Sequence, residues 1–469
     1  MGKPTGYLEY RRVENPFRAE LDRLRDYNDL HEALPTQLRH IQASRCMSCG
    51  VPFCQSHYGC PLHNLIPEWN DLLHRGRERE ALARLIKTAS FPEFTGRVCP
   101  ALCEKACNLS TEGASTNRDN ELYLIEEGFR RGWIAPKPPA RRSGKRVAVI
   151  GSGPSGLAAA DRLNQMGHSV VVIERADRPG GLLTYGIPNM KLPKEIVTRR
   201  IRFMEAEGVQ FLLNTQSDPE LLDEFDAAIL CGGARRARRL NVPGEEMGGV
   251  YLAVDFLTEN TKALLERRAP TISAHGKRVI IVGGGDTGND CVGTCLRQGC
   301  ADLIELEMMP AAPRLRANDN PWPEWPRTLR TDYGQLEYVH VFGRDPRLFE
   351  TTILRLHPNG SGDIERATIA RLKRQPEGKL APIMDTAREV GCELLIIAAG
   401  FLGCEAETAD AFEVKRTPRG NPETLNQSHQ IRDRLFTAGD FRTGQSLVVR
   451  AIADGRACAD EVNAYLMKK

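Results

Sequence analysis

The sequence predicts an α/β protein in which a helical, cysteine-bearing region precedes two copies of a parallel-sheet unit. Three observations carry that prediction. A strand, a glycine turn and a helix follow one another twice, as KRVAVIGSGPSGLAAADRLNQMG from Lys145 and KRVIIVGGGDTGNDCVGTCLRQG from Lys277. Seven of the 14 cysteines fall between Cys46 and Cys107. Between these patterns, APKPPARRSG from Ala135 to Gly144 suits neither a helix nor a central strand, so it reads as a linker.

The first region carries its cysteines as C-x2-C-x4-C-x5-C (Cys46, Cys49, Cys54, Cys60) and, after a gap, C-x3-C-x3-C (Cys99, Cys103, Cys107). The start, MGKPTGYLEYRR, has no apolar signal core, and no run of 18 apolar residues occurs, so the expected location is the cytoplasm. Thiols stay reduced there, and clustered cysteines point to metal ligation more than to disulfides. Four-cysteine zinc sites bring two short pairs, whereas seven cysteines suit two iron-sulfur clusters with one ligand of another type. His57 and His63 interleave with the cysteines and keep a zinc or mixed site open. Lys plus Arg (64) nearly balance Asp plus Glu (61), and a net charge of +3 argues for neither nucleic acid nor a membrane surface as partner.

In the first unit, the apolar run Val147 to Ile150 reads as a strand buried on both faces, and the helix after the turn ends at Gly167. The turn Gly151-Ser152-Gly153-Pro154-Ser155-Gly156 joins them, and Glu174 closes the next strand. The first glycine permits the tight turn, the second lets backbone N–H groups approach a pyrophosphate, and the third lets helix pack on strand. Glu174 is placed to accept hydrogen bonds from a ribose, which fits FAD or NAD better than NADP. Gly180, Gly181 and Leu182 form a second stretch able to pass close to a flavin, or simply a turn. Near the C-terminus, a strand ends at Asp440, which reads either as a ligand of a flavin's ribityl chain or as a helix N-terminal acid.

The second unit repeats the grammar with Gly283-Gly284-Gly285-Asp286-Thr287-Gly288, so two nucleotides are expected. Its matching acid is Glu305 or Glu307, yet Arg314 and Arg316 follow closely. Arginine grips a 2′-phosphate bidentately, so this half is the better candidate for NADPH. DAAILCGGA from Asp226 and CELLIIAAGF from Cys392 echo each other as strands running into small residues.

CMSCGVPFC, GCPLHNLIPEWNDLL, TGRVCPALCEKAC, GGLLTYGIP and NPWPEWP together resemble the small subunits of bacterial glutamate synthases over essentially the whole chain. The N-terminal half of dihydropyrimidine dehydrogenase and the flavin subunits of sulfide dehydrogenase and ferredoxin-dependent transhydrogenases are similar too. The resemblance implies an adrenodoxin-reductase-like pair of Rossmann domains, one inserted in the other, behind a helical domain with two 4Fe-4S clusters. It implies a helical domain over 1–134, a linker over 135–144, an FAD domain over 145–250 and 402–469, and an NADPH domain over 251–401. FAD is then expected on Gly151, Gly153, Pro154, Ser155, Gly156, Glu174, Gly181, Leu182 and Asp440. NADPH is expected on Gly283 to Gly288, with Arg314 or Arg316 at the 2′-phosphate. One cluster falls to Cys46, Cys49, Cys54 and Cys107. The other falls to Cys60, Cys99 and Cys103 with Glu121, or Glu126 as runner-up. Hydride transfer needs no side-chain acid or base, so no side chain is assigned a catalytic role. The family's product chemistry, glutamate from glutamine and 2-oxoglutarate, needs a nucleophile and a barrel not seen here. A large partner subunit carrying FMN and a further iron-sulfur cluster is therefore implied.

Overall fold

The computed structural model describes residues 3–468; Met1, Gly2 and Lys469, the extreme ends of the first and last segments read from sequence, lie outside them. The N-terminal region is helical: α1 (Thr36–Ser44), α2 (Ile66–His74), α3 (Glu78–Thr88), α4 (Pro92–Val98) and α5 (Asn117–Arg130) are its longer elements. A proline in the first turn opens both α2 and α4, where its missing N–H costs no intrahelical bond. Helix α3 buries Ala81, Leu82 and Leu85 along one stripe, against Trp69 and Leu73 of α2 and Leu124 and Ile125 of α5. The cysteines stay out of this core's long helices. Cys46, Cys49, Cys54 and Cys60 lie between α1 and α2, and Cys99, Cys103 and Cys107 between α4 and α5.

The first glycine-turn unit builds a six-stranded sheet from β1 (Arg146–Ile150), β2 (Ser169–Ile173), β3 (Gln210–Leu212) and β4 (Ala227–Leu230). Two late strands, β14 (Gln430–Arg432) and β15 (Leu435–Thr437), complete it in the order β14-β15-β4-β1-β2-β3, parallel except at the β14 edge. Between β4 and β14 the chain leaves to make a second, parallel sheet. This joins β5 (Val250–Leu252), β6 (Arg278–Val282), β7 (Asp302–Leu306), β8 (Arg347–Leu348) and β13 (Leu394–Ile397) in the order β5-β13-β6-β7-β8. Both central strands are buried along four consecutive residues, as sheets covered on both faces require. The helices behind the turns are α6 (Pro154–Gln165) and α7 (Asp286–Gln298), and Gly299 caps α7 in the left-handed conformation, with φ 78°.

One layer goes beyond the sequence expectation. Strands β9 (Thr351–Pro358), β10 (Ile364–Arg374), β11 (Leu380–Pro382) and β12 (Arg388–Gly391) form an antiparallel sheet inserted before β13. Its inward residues Ile353, Leu356, Ile364, Ala367 and Ile369 cover Ile280, Val282, Leu395 and Ile397 of the parallel sheet, doing on that face what a helix does on the other.

The segments join closely. Phe91 and Phe94 of α4 share one apolar core with Val147, Val149 and Leu157, and Arg200 donates to the buried Glu93 carboxylate at 2.6 Å. Ahead of α1, the fully buried Arg23 pairs at 3.0 Å with Glu337 on α8 (Tyr333–Phe342), which also takes two bonds from Arg297. The C-terminal helix α9 (Val448–Leu466) lies against α6.

Candidate functional site

At the C-terminal end of β1 the chain turns so tightly that a side chain at Gly151 (φ 101°) would come within 2.6 Å of the Cys231 carbonyl oxygen. At Gly156 it would come within 2.0 Å of the Gly151 oxygen, whereas a Cβ at Gly153 would meet nothing within 4 Å. The turn is thus closed behind and open in front. In front lies a cavity of about 1020 Å³ lined by Gly151, Gly153, Pro154, Ser155, Glu174, Gly181, Leu182 and Asp440. Of the residues expected at FAD, Gly156 alone sits behind this wall, as its packing role requires. Glu174 is buried, accepts the Ser152 N–H at 3.0 Å and hydroxyl at 2.6 Å, and so holds the turn to the end of β2. Asp440 opens a short helix and accepts the Ser446 hydroxyl at 2.6 Å; burial pushes its carboxyl above the usual range. Asp440 is thus a helix N-terminal acid that also lines the cavity. Sequence reasoning missed Arg175, Arg235 and Glu405 on the rim, where Arg175 makes a two-bond pair with Glu405 across 230 positions.

The second turn repeats the first. Gly283 (φ 119°) and Gly288 are as crowded as Gly151 and Gly156, and Gly285 is as open as Gly153. Gly284 donates its N–H to Glu307 at 3.1 Å, as Ser152 donates to Glu174. Glu307 therefore occupies the acid position. Glu305 points inward instead, buried against Gly288 and Gln335, and burial pushes its carboxyl up to about 7. Asp286 and Thr287 are exposed at the start of α7. Of the two arginines, Arg314 is exposed, while Arg316 donates to the carbonyls of Asn320 (3.3 Å) and Glu324 (2.8 Å) in its own loop.

The cysteines separate into two groups. Cys60, Cys99, Cys103 and Glu121 line one cavity of about 390 Å³, with Thr95, Arg118 and Val449. Glu121 is partly buried, accepts the Thr95 hydroxyl, and is pushed up to about 7 chiefly by burial. Cys46, Cys49, Cys54 and Cys107 are one another's electrostatic neighbours instead. Glu126, the runner-up for the eighth ligand, lies elsewhere, held by Arg97 and Arg199 at 2.8 Å each. Burial pushes the Cys60 thiol up to about 11 and those of Cys46 and Cys99 up to about 12. Thiols so buried become thiolate ligands only when a cationic centre enters and compensates them. Among the described residues, no three His, Cys, Asp or Glu side chains converge as one ion requires. His63 is exposed and bonds the Gln55 carbonyl at 2.8 Å, and His57 lies against Tyr58.

The two kinds of cavity share a wall. Val448 lines the cavity before the first glycine turn and its neighbour Val449 lines the Cys60 cavity. Both are at the start of α9, and nothing in the sequence around them marks that role.

Comparison with known proteins agrees with this layout. The family described as "Pyridine nucleotide-disulphide oxidoreductase" matches residues 145–455, and "Dihydroprymidine dehydrogenase domain II, 4Fe-4S cluster" matches residues 23–126. The chain is 44% identical to the glutamate synthase (NADPH) small chain of Bacillus subtilis, covering 100% of this chain and 99% of that one. It is also 44% identical to glutamate synthase (NADH) of Schizosaccharomyces pombe, of whose length it spans 23%. Among solved structures, Mycobacterium tuberculosis FprA in complex with NADPH shares the fold, with a TM-score of 0.53 at 18% identity over 71% of this chain and 85% of that one.

Proposed function

The chain belongs to the glutamate synthase small chains, within the pyridine nucleotide-disulphide oxidoreductases, and from that premise we propose that it is the electron-input subunit of a glutamate synthase. FAD, a nicotinamide nucleotide and 4Fe-4S clusters are the cofactors of these families. Bound FAD supplies the conversion between the two-electron hydride of NADPH and the one-electron steps of iron-sulfur clusters. The protein's own residues bind and orient. The open face of the Gly151 turn, with Glu174 and Asp440, receives FAD; the Gly283 turn, with Arg314 or Arg316, receives NADPH. Cys60, Cys99, Cys103 and Glu121 hold one cluster, and Cys46, Cys49, Cys54 and Cys107 the other.

The observation that carries this reading is the wall at Val448 and Val449. Val448 and Val449 are adjacent on α9 and line the two cavities, so the flavin and the Cys60 cluster would stand on either side of the start of this helix. The Cys60 set is then the first acceptor and the Cys46 set the exit. The domains divide accordingly: 1–134 for the clusters, 145–250 with 402–469 for FAD, and 251–401 for NADPH. The exit leads to a large partner subunit, carrying FMN and a further cluster, that makes glutamate from glutamine and 2-oxoglutarate in the cytoplasm. Among the described residues no helix is long and apolar enough to cross a membrane.

The test is the visible spectrum of the anaerobically purified protein, with iron and sulfide counts, before and after NADPH. Flavin bands bleached by NADPH beside about eight irons per chain support the reading. A colourless protein holding zinc would sink it.

A further inference from the structure

The NPWPEWP segment belongs to the second Rossmann unit, yet its tip reaches the cysteine loops of the helical region. The indole N–H of Trp322 donates to the Cys107 carbonyl at 3.3 Å, and its ring lies 4.7 Å from that of Phe53, the residue before Cys54. The Cys107 carbonyl also accepts the Ser110 N–H at 2.9 Å, so it anchors the turn that follows the cysteine. On the same face, Asn108 reaches back to the Val51 carbonyl.

The segment behind Trp322 is built to hold it there. Asn320, 2% exposed, donates to the Glu324 carboxylate and the Trp325 carbonyl and accepts the Arg327 N–H at 2.7 Å. Arg316 clasps the Asn320 and Glu324 carbonyls on either side of the tip, and Leu329 closes the base on Pro313 at 2.9 Å. A free loop of this length would lose much entropy on ordering, and these bonds confine that cost to the loop itself, leaving a preformed finger.

We infer that Trp322 is a positioning residue for the cluster assigned to Cys46, Cys49, Cys54 and Cys107, so that the nicotinamide-side unit sets that cluster's surroundings. The inference rests on Cys107 being a ligand. Trp322, partly exposed itself, acts by fixing the Cys107 loop through its carbonyl and by covering the Phe53 ring, next to Cys54, from water. Hydrogen bonding and solvent exposure set a cluster's potential, and water favours the more highly charged, reduced cluster. Removing the indole should therefore make this cluster easier to reduce and leave the Cys60 set unchanged.

The experiment uses the full-length protein, purified anaerobically, as wild type, Trp322→Ala, Trp322→Phe and Cys107→Ser. Iron counts, redox titration followed by electron paramagnetic resonance, and amide exchange over residues 107–111 are read on each. Trp322→Ala is expected to raise the midpoint potential of one cluster only and to speed Ser110 exchange by about tenfold. Trp322→Phe keeps a ring on Phe53 and should give a smaller change in the same direction. Unchanged potentials and exchange in Trp322→Ala overturn the inference, and if that variant does not fold, unchanged values in Trp322→Phe do so. Full iron retention in Cys107→Ser would instead overturn the ligand assignment beneath it.

Discussion

At the scale of single residues, the cavity walls separate side chains with similar sequence credentials. Glu121 and Glu126 are both glutamates on α5, one and a half turns apart, and sequence spacing alone does not choose between them. Glu121 lines one cavity with three cysteines and has no cationic partner at hydrogen-bond distance, while Glu126 is spent on two arginines. Glu121→Ala is accordingly expected to lose about four of about eight irons, and Glu126→Ala to keep them, by iron assay on the intact chain. Equal iron in both variants would remove Glu121 from the ligand set. The same logic separates Glu307, which holds its glycine turn, from Glu305, which faces the core.

At the scale of elements, α9 and the turn after β15 are tied by a partly buried polar cluster. Asp454 on α9 accepts the Gly439 N–H at 2.7 Å and bonds from His429 and Arg442, and His429 also meets Glu461 at 2.7 Å. Burial alone would raise the Asp454 carboxyl, but the His429, Arg442 and Gly439 bonds outweigh it and hold it well below the ordinary range. Burial alone would lower His429, and the two carboxylates outweigh that and raise it. The signs differ. The Asp454 contribution is present above its unfolded value of about 4 and is lost as pH falls from there toward the lowered folded value. The His429 contribution is full below about 6.5 and is lost as pH rises through the raised folded value. Gly439 leads directly into Asp440, so flavin retention should follow the same window. Measured by FAD release against pH, the wild type should lose flavin progressively on acidification below about pH 4, and Asp454→Asn should retain less at pH 7 with a flatter acid limb. Identical profiles would disconnect this cluster from the proposed flavin site.

At the scale of the whole molecule, the linker over 135–144 is exposed almost throughout, yet the parts it joins are not independent. Phe91 and Phe94 sit in the core of the first sheet, and Arg200 with Glu93 forms a buried pair across the junction. Large-to-small changes at such phenylalanines cost about 3–5 kcal/mol, so the interface is a core and not a transient contact. Limited proteolysis should cut within 135–144 while the fragments continue to elute together in size exclusion. Separate elution of the two fragments would show the junction to be weak.

Much of this was legible beforehand, for a stated reason. Glycine turns, the acid after the second strand and closely spaced cysteines are local patterns whose chemistry needs those residues within a few positions of one another. The sequence by itself therefore determined the two strand-turn-helix glycine turns, the cysteine inventory and the family. The antiparallel sheet over 351–391 was not read, because register shifts break the alternation of its main strands and no glycine signature marks them. Only the tertiary structure decided that Glu307 serves its turn, that Glu121 faces the cysteines, that Val448 and Val449 divide two cavities, and that Trp322 reaches Cys107 across 215 positions. Each of these depends on which face of an element is buried against which neighbour, a property of packing between distant segments that no local pattern encodes.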